Sequence, residues 1–196
     1  MTRSSRRVLL AVAAAIALLP ALFSPAAATA GVDDLDDQEL TAVARINEIR
    51  VAIGLEPFTI SPILTETAEW MAQDLAERDL LDHTDSLGRG LRDRFNAFSY
   101  PSNTFIRENL AAGYQTGAAV VVGWQNSPGH RTNNEASDVV TVGIARVYAA
   151  GSTYGWFWVL TFGSYEDPGT ITVDGTVVVP IPDPTPPIGT GEGTFS

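Results

Sequence analysis

The chain has 196 residues, 45% hydrophobic and 18% charged, so it can bury a core and is not a disordered polypeptide overall. All twelve basic residues are arginine and there is no cysteine, which excludes lysine Schiff bases, a P-loop lysine, disulfide frameworks, thiolate nucleophiles and cysteine-ligated zinc. A formal charge of −11 opposes binding to phosphate backbones and anionic membranes, so nucleic acid is disfavoured as a partner.

Arg3, Arg6 and Arg7 precede an apolar run from Val8 to about Phe23, and the small residues Ala28-Thr29-Ala30 follow. This pattern reads as a secretory signal peptide over residues 1–30, and so as a secreted, extracellular protein. Pro20 interrupts the run, which is short for a membrane span, so no membrane association is expected once the segment is removed. The Arg6-Arg7 pair leaves the general and twin-arginine export routes both open. Losing residues 1–30 removes three arginines and no acids, so the remaining chain is more acidic still.

A first helix is predicted from Asp36, with Glu39 as capping-box partner, to Ile53 before Gly54. Its apolar residues fall on two sides, Leu40, Val43, Ala44 and Val51 on one and Ile46, Ile49 and Ile53 on the other, so cover on both sides is expected. A second helix begins at Ser61-Pro62, carries the stripe Leu64, Ala68, Met71 and Leu75, and runs to about Leu81. Leu91–Phe95 is read as a short third helix. Thr104–Ala112 has extended character, and Ala118–Trp124 reads as a helix capped by Thr116. Val139–Tyr148 and Gly155–Gly163, rich in β-branched and aromatic residues, predict an antiparallel hairpin whose second arm is apolar on both faces, so helices should cover the sheet on each side. Residues 31–166 make one domain, and residues 167–196 read as an extended, mobile Pro/Gly/Thr-rich tail. Within that tail Ile171–Val178, with its Asp-Gly turn, has the pattern of a small hairpin.

The only histidines, His83 and His130, sit in turn-rich polar segments, with Glu108 between them in sequence. If folding brings them together, two imidazoles and a carboxylate offer ligands that zinc accepts and groups for acid–base chemistry. On spacing alone the favoured reading is that each histidine caps or hydrogen-bonds loop backbone, since no HExxH pair or close ligand spacing is present. Glu135 and Asp138 follow His130 and are read as solvated loop acids, with an outer-shell role as the alternative.

Five segments in order resemble the CAP superfamily, the cysteine-rich secretory, antigen 5 and pathogenesis-related proteins (SCP domain), in its bacterial secreted form. They are Ile46–Arg50 with Gly54–Phe58, Leu64 and Ala68 with Asp82–Arg89, Glu108–Gly113, Trp124–Asn133, and Val142–Ala145 with Trp158–Gly163. The resemblance implies an α+β fold, a three-layer α-β-α sandwich with a central antiparallel sheet. It also implies a cleft that in some members binds zinc or another divalent metal, carried onto His83, Glu108 and His130. Arg107 stands where the family usually has glycine, so its guanidinium could compete for Glu108, and Ser127 occupies the region of the family's second acid. The favoured function is a secreted binding module for a small apolar or glycan-like ligand, of lipid, sterol or cell-wall type. The alternatives are a metal-assisted hydrolase with Glu108 as base and a non-catalytic structural or signalling surface protein.

Overall fold

The computed structural model describes residues 32–174. The segment expected to be a signal peptide, residues 1–30, and the second arm of the hairpin expected after Asp174 lie outside the described residues.

After a 3-10 turn at Val32–Asp34, helix α1 spans Asp37–Ala52. The Asp36 carboxylate accepts from the Gln38 and Glu39 amides, and Glu39 accepts in return from the Asp36 amide, closing the expected capping box. Strand β1 (Thr59–Ile60) leads into α2 (Pro62–Arg78), where the Ser61 hydroxyl caps the Leu64 amide at 3.0 Å. Helix α2 stops three residues before the predicted end, because Asp79 turns left-handed at φ 50° and its carboxylate accepts from the Thr153 amide at 2.9 Å. Next come α3 (Leu91–Ala97), β2 (Ile106–Ala112), α4 (Gly117–Asn126, capped by Thr116), α5 (Pro128–Asn134), β3 (Thr141–Tyr148) and β4 (Trp156–Gly163).

The sheet order is β1-β3-β4-β2. Strands β2, β4 and β3 pair antiparallel as expected, and β1 adds a short parallel edge on β3. Two-residue β1 is invisible to periodicity; its pairing with Thr141 and Val142 depends on chain some eighty residues away.

Alternation along the strands sorts the core into two layers. Trp158, Leu160, Phe162, Val142 and Ile144 pack against Ala42, Val43 and Ile46 of α1 and Val120 and Trp124 of α4. On the opposite face Phe157, Val159 and Ala145 pack against Ala68, Met71 and Leu75 of α2. The result is the α-β-α sandwich that an apolar two-faced β4 requires. Trp124 and Trp158 are core residues, their indole N–H groups donating to the Leu110 and Tyr114 carbonyls.

Two expectations change. Helix α1 is covered on one side only: Ala42, Val43, Ile46 and Arg50 are buried, whereas Val51 and Ile53 are more than half exposed. The tail does not begin at residue 167. Asp167 and Thr170 are buried, the Asp167 carboxylate accepts from the Ser61 hydroxyl and the Ile63 amide at the start of α2, and Ile171 bridges Ile60 at the sheet edge. A buried carboxylate capping a helix fixes this segment to the body.

Candidate functional site

Strand β2 forms one edge of the sheet, so groups on either of its faces can meet at its outer side. Glu108 and Asn109 are neighbours on it and therefore point to opposite faces. Glu108 faces the α2–α3 side, where its side chain is only 1% exposed. One carboxylate oxygen accepts from Nη2 of Arg94, which is fully buried on α3, and the other meets Nδ1 of His83 at 2.8 Å. A second Arg94 nitrogen, Nη1, donates to the His83 carbonyl at 3.1 Å, so one guanidinium fixes both the acid and the loop carrying the imidazole.

That loop is pinned along its length. The Asp74 carboxylate on α2 accepts from the Ser86 amide, and buried Asp85 accepts from the Leu87 and Arg89 amides and the Arg89 guanidinium. The His83 side chain itself stays 62% exposed. Its Glu108-bound nitrogen is turned inward, and the ring is open to a ligand.

His130 approaches from the other face, on α5, which an amide network seats on β2. The Asn109 side chain donates to the His130 carbonyl at 3.1 Å and to Asn134 Oδ1 at 2.9 Å, and Asn133 donates to Asn109 Oδ1 at 2.8 Å. Arg50 donates from α1 to the carbonyls of Asn134 and Ala136, locking the end of α5. Asn109 therefore fixes the backbone that carries the second histidine, whereas Glu108 holds the ring of the first.

Two expectations about neighbouring charges are corrected. Arg107 does not compete for Glu108, because as an adjacent strand residue it faces the Asn109 side, where it grips Asp138 bidentately at 2.9 and 2.8 Å. Asp138 is therefore an ion-pair partner, and that hydrogen bond holds its carboxyl below the ordinary value. Glu135 is the residue at the C-terminal end of α5.

The hydrogen bond to Glu108 raises the His83 pKa above 6.5, whereas burial and the charge of His83 lower that of His130. The folded protein thus binds the His83 proton more tightly than the unfolded chain. This contributes stability that is fully present below the unfolded value, about 6.5, and is lost as pH rises through the folded value. In an NMR titration the two imidazoles are expected to titrate on opposite sides of that value. His83→Gln should move His130 part of the way back, since burial remains. Coincident titrations, or no response of His130, would refute the coupling.

The three expected residues fall into one contacting pair, His83 and Glu108, with His130 coupled through charge. As placed, they do not fit a resident divalent ion. Glu108 has both oxygens engaged, a buried guanidinium adds fixed positive charge beside it, and among the described residues no group of three or more histidine, cysteine or acidic side chains is arranged to hold a metal. Sequence reasoning missed Arg94, Asn133 and Asn134.

A three-layer sandwich with a histidine–glutamate pair at its sheet edge defines the class, and the comparisons agree. The sequence pattern of the Cysteine-rich secretory protein family, CAP, matches residues 43–162, and the chain belongs to that family. It is 29% identical over 119 residues to the uncharacterized protein YkwD of Bacillus subtilis (strain 168), covering 61% of this chain and 46% of that protein. It is 32% identical over 98 residues to the uncharacterized membrane protein YlbC of the same strain, covering 50% of this chain and 28% of that protein. The chain thus spans less than half the length of either curated relative. Among solved structures, an outer surface protein from Borrelia burgdorferi superposes with a TM-score of 0.58 at 26% identity, over 67% of this chain and 97% of that one. An extracellular SCP-domain protein from Bacillus anthracis str. Ames gives 0.54 at 22% identity, over 68% and 43%, a likeness of fold. No described helix is long and apolar enough to cross a membrane.

Proposed function

We propose that the protein is an exported binding module that holds a hydroxyl- and carboxylate-bearing fragment of cell-wall type at the β2 edge. His83 and His130 are the contacting groups, and Glu108, Arg94 and Asn109 support them. The observation that carries this reading is the state of Glu108. A general base needs a free carboxylate oxygen aimed at water, and both Glu108 oxygens are taken by Arg94 and His83. The burial of that carboxylate and the fixed positive charge of Arg94 beside it argue against a zinc-assisted hydrolase. A hydrophilic ligand is favoured over a lipid or sterol because Asp82, Thr84 and Ser86 beside His83 and Arg131 and Thr132 beside His130 are polar and exposed, although Leu80, Leu81 and Leu87 also stand exposed on the His83 segment. Export is supported by the pattern of residues 1–30 and by the outer-surface and extracellular descriptions of the structural neighbours.

Calorimetric titration with solubilised peptidoglycan fragments tests the reading. His83→Gln is expected to weaken binding about tenfold or more, the loss of one charge-assisted hydrogen bond. Affinity for carboxylate-bearing fragments should fall as pH rises through the His83 value. Zinc added to the chelator-treated protein should leave the melting temperature unchanged. Equal affinity in His83→Gln removes this histidine from the site; a zinc-dependent rise in melting temperature that both His83→Gln and His130→Gln abolish would restore the metal reading.

A further inference from the structure

Strand β1 pairs with β3 only at Thr141 and Val142, so beyond that point the outer edge of β3 has no strand beside it. The Val142 carbonyl on this edge accepts from the Ser61 amide, and the Arg146 amide farther along points the same way, away from β4. The Glu39 carboxylate stands in for the missing strand. One of its oxygens accepts from the Arg146 amide at 2.7 Å and the other from the Asp36 amide at 2.8 Å, so a single side chain ties the first turn of α1 to the sheet. This clasp lies across β4 from the histidine-bearing edge.

The clasp borders a cavity of about 190 Å³ walled by Asp34, Asp36, Glu39, Thr65, Glu69 and Arg146. Carboxylates dominate that wall, and the Arg146 guanidinium is committed elsewhere: its Nε pairs with Asp36 at 2.6 Å and its Nη1 donates to the Gln115 carbonyl at 3.1 Å. Among the described residues Asp34, Glu39 and Glu69 form no salt bridge, and Glu66 adds another negative charge beside Glu69 on α2. Glu39 is only 8% exposed, so water solvates its charge poorly. Burial, helped by the charge of Asp36, outweighs the two amide hydrogen bonds and the pull of Arg146, and moves the Glu39 pKa from the ordinary 4.5 to about 7. Burial, then the charges of Asp34 and Glu66, raises Glu69 as well.

We propose that Glu39 is a proton-operated latch: its protonated carboxyl holds the start of α1 on the β3 edge, and its ionisation among Asp34, Asp36 and Glu69 releases the first turn and bares the Arg146 amide. The closed form binds the proton more tightly than the open form. Its advantage is therefore fully present below the ordinary value of 4.5 and is lost as pH rises through the closed-form value of about 7.

Residue-resolved hydrogen exchange of the full chain between about pH 4 and about pH 8, corrected for intrinsic rates, tests the latch. Protection of the Arg146 amide and of the Leu40 amide, which bonds the Asp36 carbonyl, is expected to fall at least about tenfold across that range. The Ser61 amide, on the same edge but beside β1, should keep its protection. In Glu39→Gln, which cannot ionise, Arg146 protection should not vary with pH. Carbon-13 NMR of the Glu39 carboxyl in the native chain gives an independent reading, with a midpoint well above 4.5 expected. Constant Arg146 protection in the native chain would overturn the proposal, as would a fall shared equally by Ser61, which is global unfolding. A fall that persists in Glu39→Gln, or an ordinary carboxyl midpoint, would overturn it too. Should the glutamine fail to hold the clasp at any pH, the carboxyl midpoint decides.

Discussion

Arg94→Met is expected to lower the unfolding free energy by about 3–5 kcal/mol, the cost of leaving one member of a buried pair without its partner. Arg94 is fully buried and the Glu108 side chain 1% exposed, so water cannot replace the lost guanidinium. The same change frees the His83 carbonyl, loosening the loop that presents the imidazole. Combining Arg94→Met with Glu108→Gln should cost less than Arg94→Met alone, because a neutral amide tolerates burial better than an isolated carboxylate. Urea unfolding followed by the fluorescence of Trp124 and Trp158 measures both. A loss under about 1 kcal/mol for Arg94→Met, or a double variant as unstable as the sum of its singles, would show that the pair is not the support of the site.

Gly143→Ala is expected to destabilise by about 3 kcal/mol or more, the upper end for overpacking. A Cβ at Gly143 of β3 would lie 2.0 Å from the Leu64 carbonyl carbon and 2.2 Å from the Thr65 nitrogen. Both are backbone atoms, so no rotamer change relieves the clash and α2 must lift off the sheet. Since α2 also carries Asp74, which holds the histidine loop, the variant should disturb the His83 signal as well. Gly129→Ala in α5 is the control: nothing lies within 4 Å, and alanine should gain up to about 1 kcal/mol as the better helix former. Similar melting temperatures for the two variants would contradict the close helix–sheet contact.

Where chemistry is local, the sequence was a good guide. Asp36 with Glu39, Ser61 with Pro62, and Thr116 each announce a helix start through side chains that satisfy free amides, and each does so in the fold. What depends on distant chain was not legible. Strand β1 exists because β3 lies beside it, α2 stops early because Asp79 reaches Thr153, and the body extends past residue 167 because Asp167 caps α2. Within the site the His83–Glu108 pairing was suggested by family resemblance, since their spacing has no helical or strand period that brings them together. Arg94 was missed because arginine is ordinarily exposed, and nothing in Leu91-Arg92-Asp93-Arg94-Phe95 marks which guanidinium turns inward. The expectation about Arg107 failed on strand alternation, a rule that could have been applied once Thr104–Ala112 was read as extended.

On the proposed function, two histidines, one from each face of the sheet, present a single ligand-binding edge on β2. Side-chain NMR of the two imidazoles during addition of a carboxylate-bearing peptidoglycan fragment reads both at once. Saturable shifts of both rings with one common dissociation constant are the predicted result. Shifts confined to one ring, or saturable binding that leaves both unmoved, would contradict it.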